Sequence, residues 1–222
     1  MVLYAQLNAE NVDRIIREQM EYFEKVGQNF EWKYFEHDTP NDLKNCLIAH
    51  GFVPEEAEAL MVLDLNEAPE VLLRPITRDV RRITDPSQLH EVVAIQNQVW
   101  GEDHSWLGDK LARELQSDPN HLSIYLAYAD GKPVSCAWLR LPIVSQFASL
   151  WGGSTLPTYR NRGFYTALLA TRVQEARRQG VRFLTIDALP MSRTIVEKFG
   201  FQLLTYTYAC KWKVKNSPTK SR

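Results

Sequence analysis

The sequence has no strong excess of either charge. Lysine and arginine together number 26 and aspartate and glutamate 27, so the formal net charge is −1. Proteins that bind nucleic acid normally present a face of clustered basic residues. The composition therefore gives no reason to expect a nucleic-acid partner.

Long apolar runs are also missing from the sequence. No run approaches the roughly 20 residues that a bilayer-spanning helix needs. The first residues, Met1 to Asn11, lack the basic start and long apolar stretch of a signal peptide. We therefore expect a cytoplasmic protein with no membrane partner.

Cysteine is scarce, with only Cys46, Cys136 and Cys210 in the chain. They lie far apart, without the paired short spacing that zinc sites use, and an odd number cannot pair completely. We predict reduced core thiols and no metal site.

The 222 residues are enough for one full domain and a smaller companion. A polar stretch with one proline separates two self-consistent patterns, so it is the best candidate for a linker. We predict an N-terminal α/β portion over residues 1–66, a linker over 67–70, a main domain over 71–213 and a disordered basic tail over 214–222.

Apolar spacing predicts the elements of each part. The N-terminal portion contains a helix after Asn8, a strand around Trp32, a helix after Pro40 and a strand at Leu60 to Leu65. The main part contains, in order, a strand at Val71 to Thr77, helices near Pro86 to Trp100 and Leu107 to Ser117, strands at Leu122 to Ala129, Val134 to Val144 and Phe147 to Leu156, a helix from about Tyr165 to Gly180, a strand at Phe183 to Leu189, a short helix at Ser192 to Phe199 and a strand at Leu203 to Trp212.

Glycines mark two special positions among these strands. Asp130-Gly131 is a strong tight-turn signal between two alternating strands. Gly152-Gly153 lies inside a strand, where glycine weakens pairing and usually marks a bulge or the close approach of another group. We therefore predict a hairpin at the first pair and an irregular strand edge at the second.

A basic turn leads into the late helix. Arg160 and Arg162 flank a segment that ends in Gly163, and the unpaired N–H groups of a helix start form an anion site. Gly163 lets the backbone approach a phosphate, and the arginines add positive charge. A pyrophosphate would fit this turn, although the same residues also fit a solvated basic turn with a helix-start glycine.

The order of these elements, with the sequence Pro157-Thr158-Tyr159-Arg160-Asn161-Arg162-Gly163, resembles the GNAT superfamily of N-acetyltransferases over about residues 71–212. The resemblance implies an α/β (α+β) fold with a mixed, mostly antiparallel sheet and a bulged, splayed strand pair. It also implies that acetyl-CoA, as co-substrate, binds with its pyrophosphate in the turn and its pantetheine beside the bulged strand. The residues carried over to this role are Gly153, Thr155, Leu156, Arg160, Asn161, Arg162, Gly163, Phe164, Tyr165 and Thr166.

The sequence departs from the family pattern at two positions. Tyr165 replaces the small last residue of the turn, although its backbone N–H is retained. Many members also carry a tyrosine in the short late helix to meet the departing thiolate, and Val196 stands at that position here. Another residue then does this work, the thiolate leaves unassisted, or catalysis has been lost.

Three residues are candidates for the catalytic groups. His104 has a suitable intrinsic pKa for a general base, but its loop also fits a polar connection anchored by neighbouring tryptophans. Asp187, at a strand end, would order the amine or a water, and Ser192 either lies near the sulfur or caps the short helix.

The resemblance implies transfer of an acetyl group to a primary amine of a small molecule or peptide, by direct attack on the thioester. The alternative is a non-catalytic acyl-CoA-binding regulator, which Val196 favours. The chain's partners are then acetyl-CoA and an amine acceptor, and apolar edge strands near the C-terminus make a homodimer plausible.

The first helix and the late helix share one apolar register, and each is followed by a strand, a short helix and a Gly-Phe pair. The N-terminal portion therefore fits a degenerate half copy of the main part, although any helix-strand-helix-strand unit obeys similar spacings. Glu10 stands where the later copy has Gly163. Because a carboxylate would repel a phosphate, we predict no cofactor site in this first portion.

Overall fold

A computed structural model of the protein describes residues 1–214. The predicted tail therefore lies outside the described residues except for Val214. Seven α-helices and nine strands are present in the described chain. In chain order they are α1 (Val12–Lys25), β1 (Phe30–Phe35), α2 (Leu43–Ala49), β2 (Val53–Pro54), β3 (Glu58–Asp64), α3 (Glu70–Leu73), β4 (Asp79–Arg82), α4 (Leu89–Trp100), α5 (Ser105–Ser117), β5 (Leu122–Ala129), β6 (Lys132–Arg140), β7 (Phe147–Thr155), α6 (Phe164–Arg178), β8 (Phe183–Ala188), α7 (Pro190–Glu197) and β9 (Gln202–Trp212).

The chain forms two compact units, and neither is continuous in sequence. Unit 1 comprises Met1–Met61, Asp187–Thr194 and the chain from Leu203 onward, and unit 2 comprises Val62–Ile186 and Ile195–Gln202. Three strands, β3, β8 and β9, contribute residues to both units.

In unit 1 the strands follow the order β1-β9-β3, and β2 pairs with Cys210 and Lys211 of β9. The antiparallel β1–β9 register runs from Phe30 opposite Trp212 to Phe35 opposite Thr207. Alternate residues of β1 point into a core that α1 and α2 cover. Its buried members include Val12, Ile16, Phe30, Trp32, Tyr34, Leu43, Leu47, Phe52, Cys210 and Trp212.

In unit 2 the strands follow the order β3-β8-β7-β6-β5-β4. Strands β4 to β7 pair antiparallel, whereas β7 and β8 are parallel. Neighbouring β6 residues enter different cores, because Cys136 and Trp138 pack with α4 and α5 whereas Ala137 packs with Phe164 and Leu168 of α6. Helices therefore cover both faces of the sheet in unit 2, and the predicted mixed, mostly antiparallel α/β fold is confirmed.

One predicted strand is wrong. Residues 71–77 do not form a strand, because Glu70–Leu73 is one helical turn closed by the hydrogen bond from the Arg74 N–H to the Glu70 carbonyl. Only Leu72 is buried there, and its apolar neighbours Val71 and Leu73 are exposed. The first strand of unit 2 lies later, at Asp79–Arg82.

The predicted hairpin turn and the predicted reduced cysteines are both found in the structure. Asp130 and Gly131 have φ angles of 50° and 75°, the left-handed values that a two-residue hairpin needs. All three cysteines are free thiols, and burial raises the pKa of Cys136 to about 12. Among residues 1–214, every helix is too short or too polar to cross a membrane.

Candidate active site

The basic turn has the backbone that an anion site requires. Asn161 and Gly163 adopt left-handed φ angles of 59° and 82°. Gly163 occupies the N-cap position of α6, and no side chain within residues 1–214 caps this helix start. The first-turn N–H groups of a 15-residue helix are therefore left for another acceptor.

Two predicted arginines flank this helix start and are both exposed. The Arg160 Nε donates a hydrogen bond to the Thr155 carbonyl at 3.3 Å, which draws the turn against the end of β7. The Arg162 guanidinium lies 5.1 Å from the centroid of the Tyr159 ring. Both positive charges add to the positive end of the helix dipole.

A third arginine, which the sequence did not predict, supports the same turn. The Arg78 Nη2 donates to the Arg162 carbonyl at 2.8 Å, and its guanidinium lies 5.0 Å from the centroid of the buried Phe164 ring. Arg74 and Arg78 line a surface pocket of about 320 Å³ together with Gly163 and Thr166. No local pattern marks Arg78, because its partner lies 84 residues away in sequence.

The predicted bulge lies in β7. Cys136 pairs with Ser154 and Trp138 with Trp151, so two β7 residues, Gly152 and Gly153, stand opposite one β6 residue. Gly152 has a φ of +60°, and a Cβ there would lie 1.8 Å from the Trp138 ring. Only glycine fits this position.

Strands β7 and β8 pair over a short stretch and then separate. Phe147, Ala148 and Ser149 pair with Phe183, Leu184 and Thr185, and the ladder ends there. Residues 150–155 of β7 therefore have β6 on one side and no ladder partner on the other. The bulge lies within this open stretch, as expected for a splayed strand pair.

The other predicted cofactor residues have mainly structural contacts. The Thr155 hydroxyl is buried and lies 2.7 Å from the Ser135 hydroxyl. The Leu156 N–H donates to the Val134 carbonyl at 3.0 Å. Gly153 is the exposed one of these three, and it has no paired residue in the β6–β7 or the β7–β8 ladder.

Tyr165, the departure from the family pattern, packs on the bulge. Its Cε2 atom lies 3.1 Å from the position that a Gly153 Cβ would take. Burial raises the pKa of the Tyr165 phenol, so the ring stays neutral. The side chain thus replaces the usual small residue by filling space that Gly153 leaves open.

Asp187 belongs to unit 1, where it meets a lysine that the sequence did not single out. The Asp187 Oδ2 lies 2.8 Å from the Lys33 Nζ, and Glu58 Oε2 lies 3.3 Å from the same nitrogen. The Asp187 Oδ1 is buried and has no hydrogen-bond partner among the described residues.

Burial alone would lower the pKa of Lys33, but hydrogen bonding and charge attraction to Asp187 and Glu58 outweigh it, so the pKa is raised. Burial raises the pKa of Glu58 in spite of Lys33. Asp187 is therefore the main partner of the lysine, in agreement with the shorter distance.

His104 precedes α5 in unit 2. Its N–H donates to the Asn97 Oδ1 at 2.7 Å, and its Nδ1 lies 3.0 Å from the Glu102 carbonyl. A proton on Nδ1 would satisfy that contact and leave Nε2 as the basic nitrogen. Hydrogen bonds from Ser105 lower the pKa of Asp103, so this carboxylate serves the loop and the helix start.

Ser192 and Val196 both lie in α7, in units 1 and 2 respectively. The helix begins at Pro190, and the Ser192 N–H donates to the Leu189 carbonyl, so Ser192 is not the cap residue that the alternative interpretation required. Val196 is completely buried, which leaves this position without a proton donor.

Sequence reasoning also missed two buried polar residues beside the bulge. Gln96 and Arg172 are 3% and 1% exposed, and they lie on α4 and α6. Each interrupts an otherwise apolar helix face, since Gln96 follows Val92 by four residues and Arg172 follows Leu168 by four. That interruption was the available signal.

Comparisons with known proteins agree with this geometry. The sequence profile of the Acetyltransferase (GNAT) family matches residues 88–201, just over half of the 222 residues. No curated protein matches the sequence.

Solved structures share the fold across nearly the whole chain. A GCN5-related N-acetyltransferase from Kribbella flavida has a TM-score of 0.70 at 18% identity, covering 95% of this chain and 77% of its own. A functionally unknown conserved protein from Staphylococcus epidermidis reaches 0.68 at 12% identity, covering 96% and 84%. A tandem GNAT protein from the clavulanic acid biosynthesis pathway reaches 0.66 at 14% identity, covering 92% and 70%. With its family profile and fold in agreement, the chain belongs to the GNAT family of acetyltransferases.

Proposed function

We propose that the protein is an acetyl-CoA-dependent N-acetyltransferase that acts on a primary amine of a small molecule or peptide. One observation carries the proposal: the uncapped, arginine-flanked start of α6 follows directly on a strand, β7, whose outer edge is open. A diphosphate and an extended arm are the two parts of coenzyme A that these features suit.

The turn would hold the diphosphate. The first N–H groups of α6 donate to phosphate oxygens, the Gly163 backbone allows close approach, and Arg160 and Arg162 add charge. Nothing within 4 Å except the Arg78 side chain would meet a Cβ at Gly163, so there is room beside this residue. Arg78, through the Arg162 carbonyl, would keep the turn in one conformation.

The open edge of β7 would hold the pantetheine arm. Gly153 has no ladder partner on either side, so its backbone groups can bond to the amides of the arm. The coenzyme supplies an activated acetyl group as a thioester. The protein must orient that group, accept a proton from the amine and provide for the sulfur that leaves.

In the transfer, the amine nitrogen forms a bond to the acetyl carbon while the bond from that carbon to sulfur breaks. The nitrogen gives up a proton, and the sulfur departs as a thiolate that takes one up. An amine attacks only as the neutral base, because the ammonium form has no free electron pair. The ammonium form of a lysine-like amine has a pKa near 10.4, so near neutral pH the amine must first lose a proton. His104 through Nε2 is the proposed acceptor of that proton, and Asp187 is proposed to order the amine or a water.

The residue at position 196 does not supply a proton to the departing thiolate. A buried valine cannot protonate a thiolate. We propose that the Ser192 hydroxyl assists the sulfur or that the thiolate departs without a proton donor. The same observation favours a second function, a non-catalytic acyl-CoA-binding regulator, which would bind the thioester without turnover.

The N-terminal portion would not bind a second coenzyme. The Asn8 side chain accepts hydrogen bonds from the N–H groups of Glu10 and Asn11, and the Asn11 side chain accepts from the Asn8 N–H. These bonds hold the turn before α1, and Glu10 of that turn stands where the later copy has Gly163, so a carboxylate that would repel a phosphate precedes this helix. This supports a degenerate second copy, and one solved structure of similar fold is described as a tandem GNAT protein.

Thermal unfolding with acetyl-CoA tests the binding site. Ligand at about 100 times its dissociation constant stabilises a protein by roughly 2.7 kcal/mol. We expect this stabilisation in the native protein and in Gly180→Glu, and its loss in Gly163→Glu. Gly180 follows the other end of the same helix with a similar φ of +74°, so the control matches both charge and strain.

Thiol release from acetyl-CoA in the presence of a panel of primary amines separates the two functions. Amine-dependent release, with a matching acetylated product by mass spectrometry, is expected for the enzyme. Stabilisation by acetyl-CoA without release from any amine would support the regulator, and equal stabilisation of Gly163→Glu would refute the proposed cofactor site.

A further inference from the structure

The β7 bulge has an unusual set of hydrogen bonds. Neither Gly152 nor Gly153 belongs to the β6–β7 ladder, and the β7–β8 ladder has ended before them. A bulge leaves backbone groups without ladder partners, and such groups are costly when buried. Side chains from the helices supply those partners here.

Gln96 of α4 provides the main contact. Its Nε2 donates to the Gly152 carbonyl at 2.9 Å, and its Oε1 accepts from the Ser154 hydroxyl at 3.2 Å. One amide group thus bonds to a residue of the bulge and to the residue that follows it. Because Gln96 is buried, water cannot replace either bond.

The contact extends to the surface through Ser154. Its hydroxyl accepts a hydrogen bond from the Trp100 Nε1 at 3.2 Å, and Trp100 is about half exposed at the end of α4. The Cys136 thiol lies 3.7 Å from the Gly152 carbonyl as a second donor. Burial raises the pKa of this thiol, so it remains protonated.

The opposite face of the sheet carries a second buried donor. The Arg172 Nη1 of α6 donates to the Trp138 carbonyl at 3.3 Å, on the β6 residue next to the bulge. Burial lowers the pKa of Arg172 to about 10, which still leaves the guanidinium charged near neutral pH. Polar side chains on both faces therefore bond to the backbone of this short segment.

We propose that Gln96 is a positioning residue that fixes the Gly152–Gly153 bulge in one conformation before the cofactor binds. This inference rests on the proposed function, since the edge held in place is the one that would receive the pantetheine arm. Gln96 touches neither the diphosphate turn nor the reacting atoms. Because Gln96 already orders this part of the strand, the ligand does not lose binding free energy to ordering it.

The test replaces Gln96 with methionine, which keeps the length of the side chain and removes both hydrogen bonds. Gln98→Met on the exposed side of the same helix is the matched control. Amide hydrogen exchange is measured over residues 150–156 in the ligand-free proteins. We expect exchange there to be about tenfold faster in Gln96→Met, as is typical when a buried acceptor loses its donor, and unchanged in Gln98→Met.

Binding measurements then separate positioning from general destabilisation. CoA contains the pantetheine arm, whereas 3′-phospho-ADP contains only the nucleotide and its diphosphate. Gln96→Met is expected to weaken CoA binding by about tenfold and to leave 3′-phospho-ADP binding unchanged.

Two results would overturn the inference. One is native exchange over residues 150–156 in Gln96→Met, and the other is an equal loss of affinity for both ligands. If the native protein binds neither ligand, the proposed function fails, and the exchange comparison still decides whether Gln96 fixes the bulge.

Discussion

Adjacent glycines at the bulge are predicted to differ sharply in their tolerance of a methyl group. A Cβ on Gly152 would overlap the Trp138 ring and occupy a left-handed backbone, whereas a Cβ on Gly153 would meet only the edge of Tyr165 at 3.1 Å. Overpacking and strain together predict a loss of about 3 kcal/mol for Gly152→Ala. For Gly153→Ala we expect about 1 kcal/mol or less.

Urea unfolding of the two variants measures this difference directly. Each serves as the control for the other, because they share composition, strand and solvent. Similar free energies of unfolding for both would mean that the Trp138 ring can move aside, and the close packing of ring on backbone would then not explain Gly152.

For single residues, the sequence predicted where the strand is irregular but not which side chains contact that site. A Gly-Gly pair inside a strand predicted an irregular edge, and the bulge is there. The sequence did not show which glycine is indispensable, because that depends on a ring from the neighbouring strand. Arg78 was missed for the same reason, since its partner is remote in sequence. Gln96 and Arg172 were missed as well, although each interrupts an apolar helix face.

Among the elements, length decided what the sequence could predict. Helices and strands with several apolar repeats were predicted well: β5 has the predicted bounds, and the ends of α1 and α6 lie within a few residues of the predicted ones. The one-turn helix α3 was predicted as a strand, because a segment of one turn is too short to show the helical period. The splay of β7 from β8 came only from the family resemblance, because pairing between strands is not a local property.

The Lys33 side chain, from β1, forms ion pairs with Glu58 of β3 and Asp187 of β8. Lys33→Met keeps the aliphatic stem but leaves two half-buried carboxylates without their cation. Breaking a buried pair costs about 3–5 kcal/mol, and partial exposure to solvent reduces this to about 1–2 kcal/mol. We expect that loss at neutral pH in urea unfolding.

The pH dependence has a definite sign. The pKa of Lys33 in the folded protein is raised above its ordinary value of 10.5. Its contribution to stability is therefore fully present below pH 10.5 and is lost as the pH rises through the folded pKa. The stability difference between the native protein and Lys33→Met should shrink in that alkaline range.

Lys211→Met is the control for this pair. Lys211 also forms an ion pair in unit 1, with Glu55, but both side chains are about half exposed. Such pairs contribute about 0–1 kcal/mol. A Lys33→Met loss no larger than that of Lys211→Met, or one that is constant with pH, would contradict the role assigned to Lys33.

On the scale of the whole molecule, the compact units do not follow the order of the chain. Unit 1 combines residues before Met61 with strand β9 near the other end. Pairing between strands so far apart leaves no trace in local composition, and the sequence accordingly suggested a division at residues 67–70. The division at residues 67–70 stays a prediction that the two portions arose by duplication. The apolar register that α1 and α6 share supports it.

The last prediction concerns a fragment of residues 71–213, the predicted main domain. It retains β9 but lacks β1, β2 and β3, which are the strands that pair with β9 in unit 1. Cys210 and Trp212, buried in the intact protein, would lose the cover of Phe30, Trp32 and Phe52. An uncovered apolar strand edge favours aggregation, so we expect an insoluble or associated fragment in size-exclusion chromatography.

Co-expression of residues 1–66 with residues 67–222 restores every missing strand without the covalent link, so it is the matched control. We expect the two pieces to copurify as a soluble complex that unfolds cooperatively, because strand pairing and the shared apolar core of unit 1 do not require an unbroken chain. A monomeric 71–213 fragment that unfolds at the temperature of the full protein would show that β9 needs no partner from the first 66 residues. The strands of the N-terminal portion would then not be needed to stabilise β9.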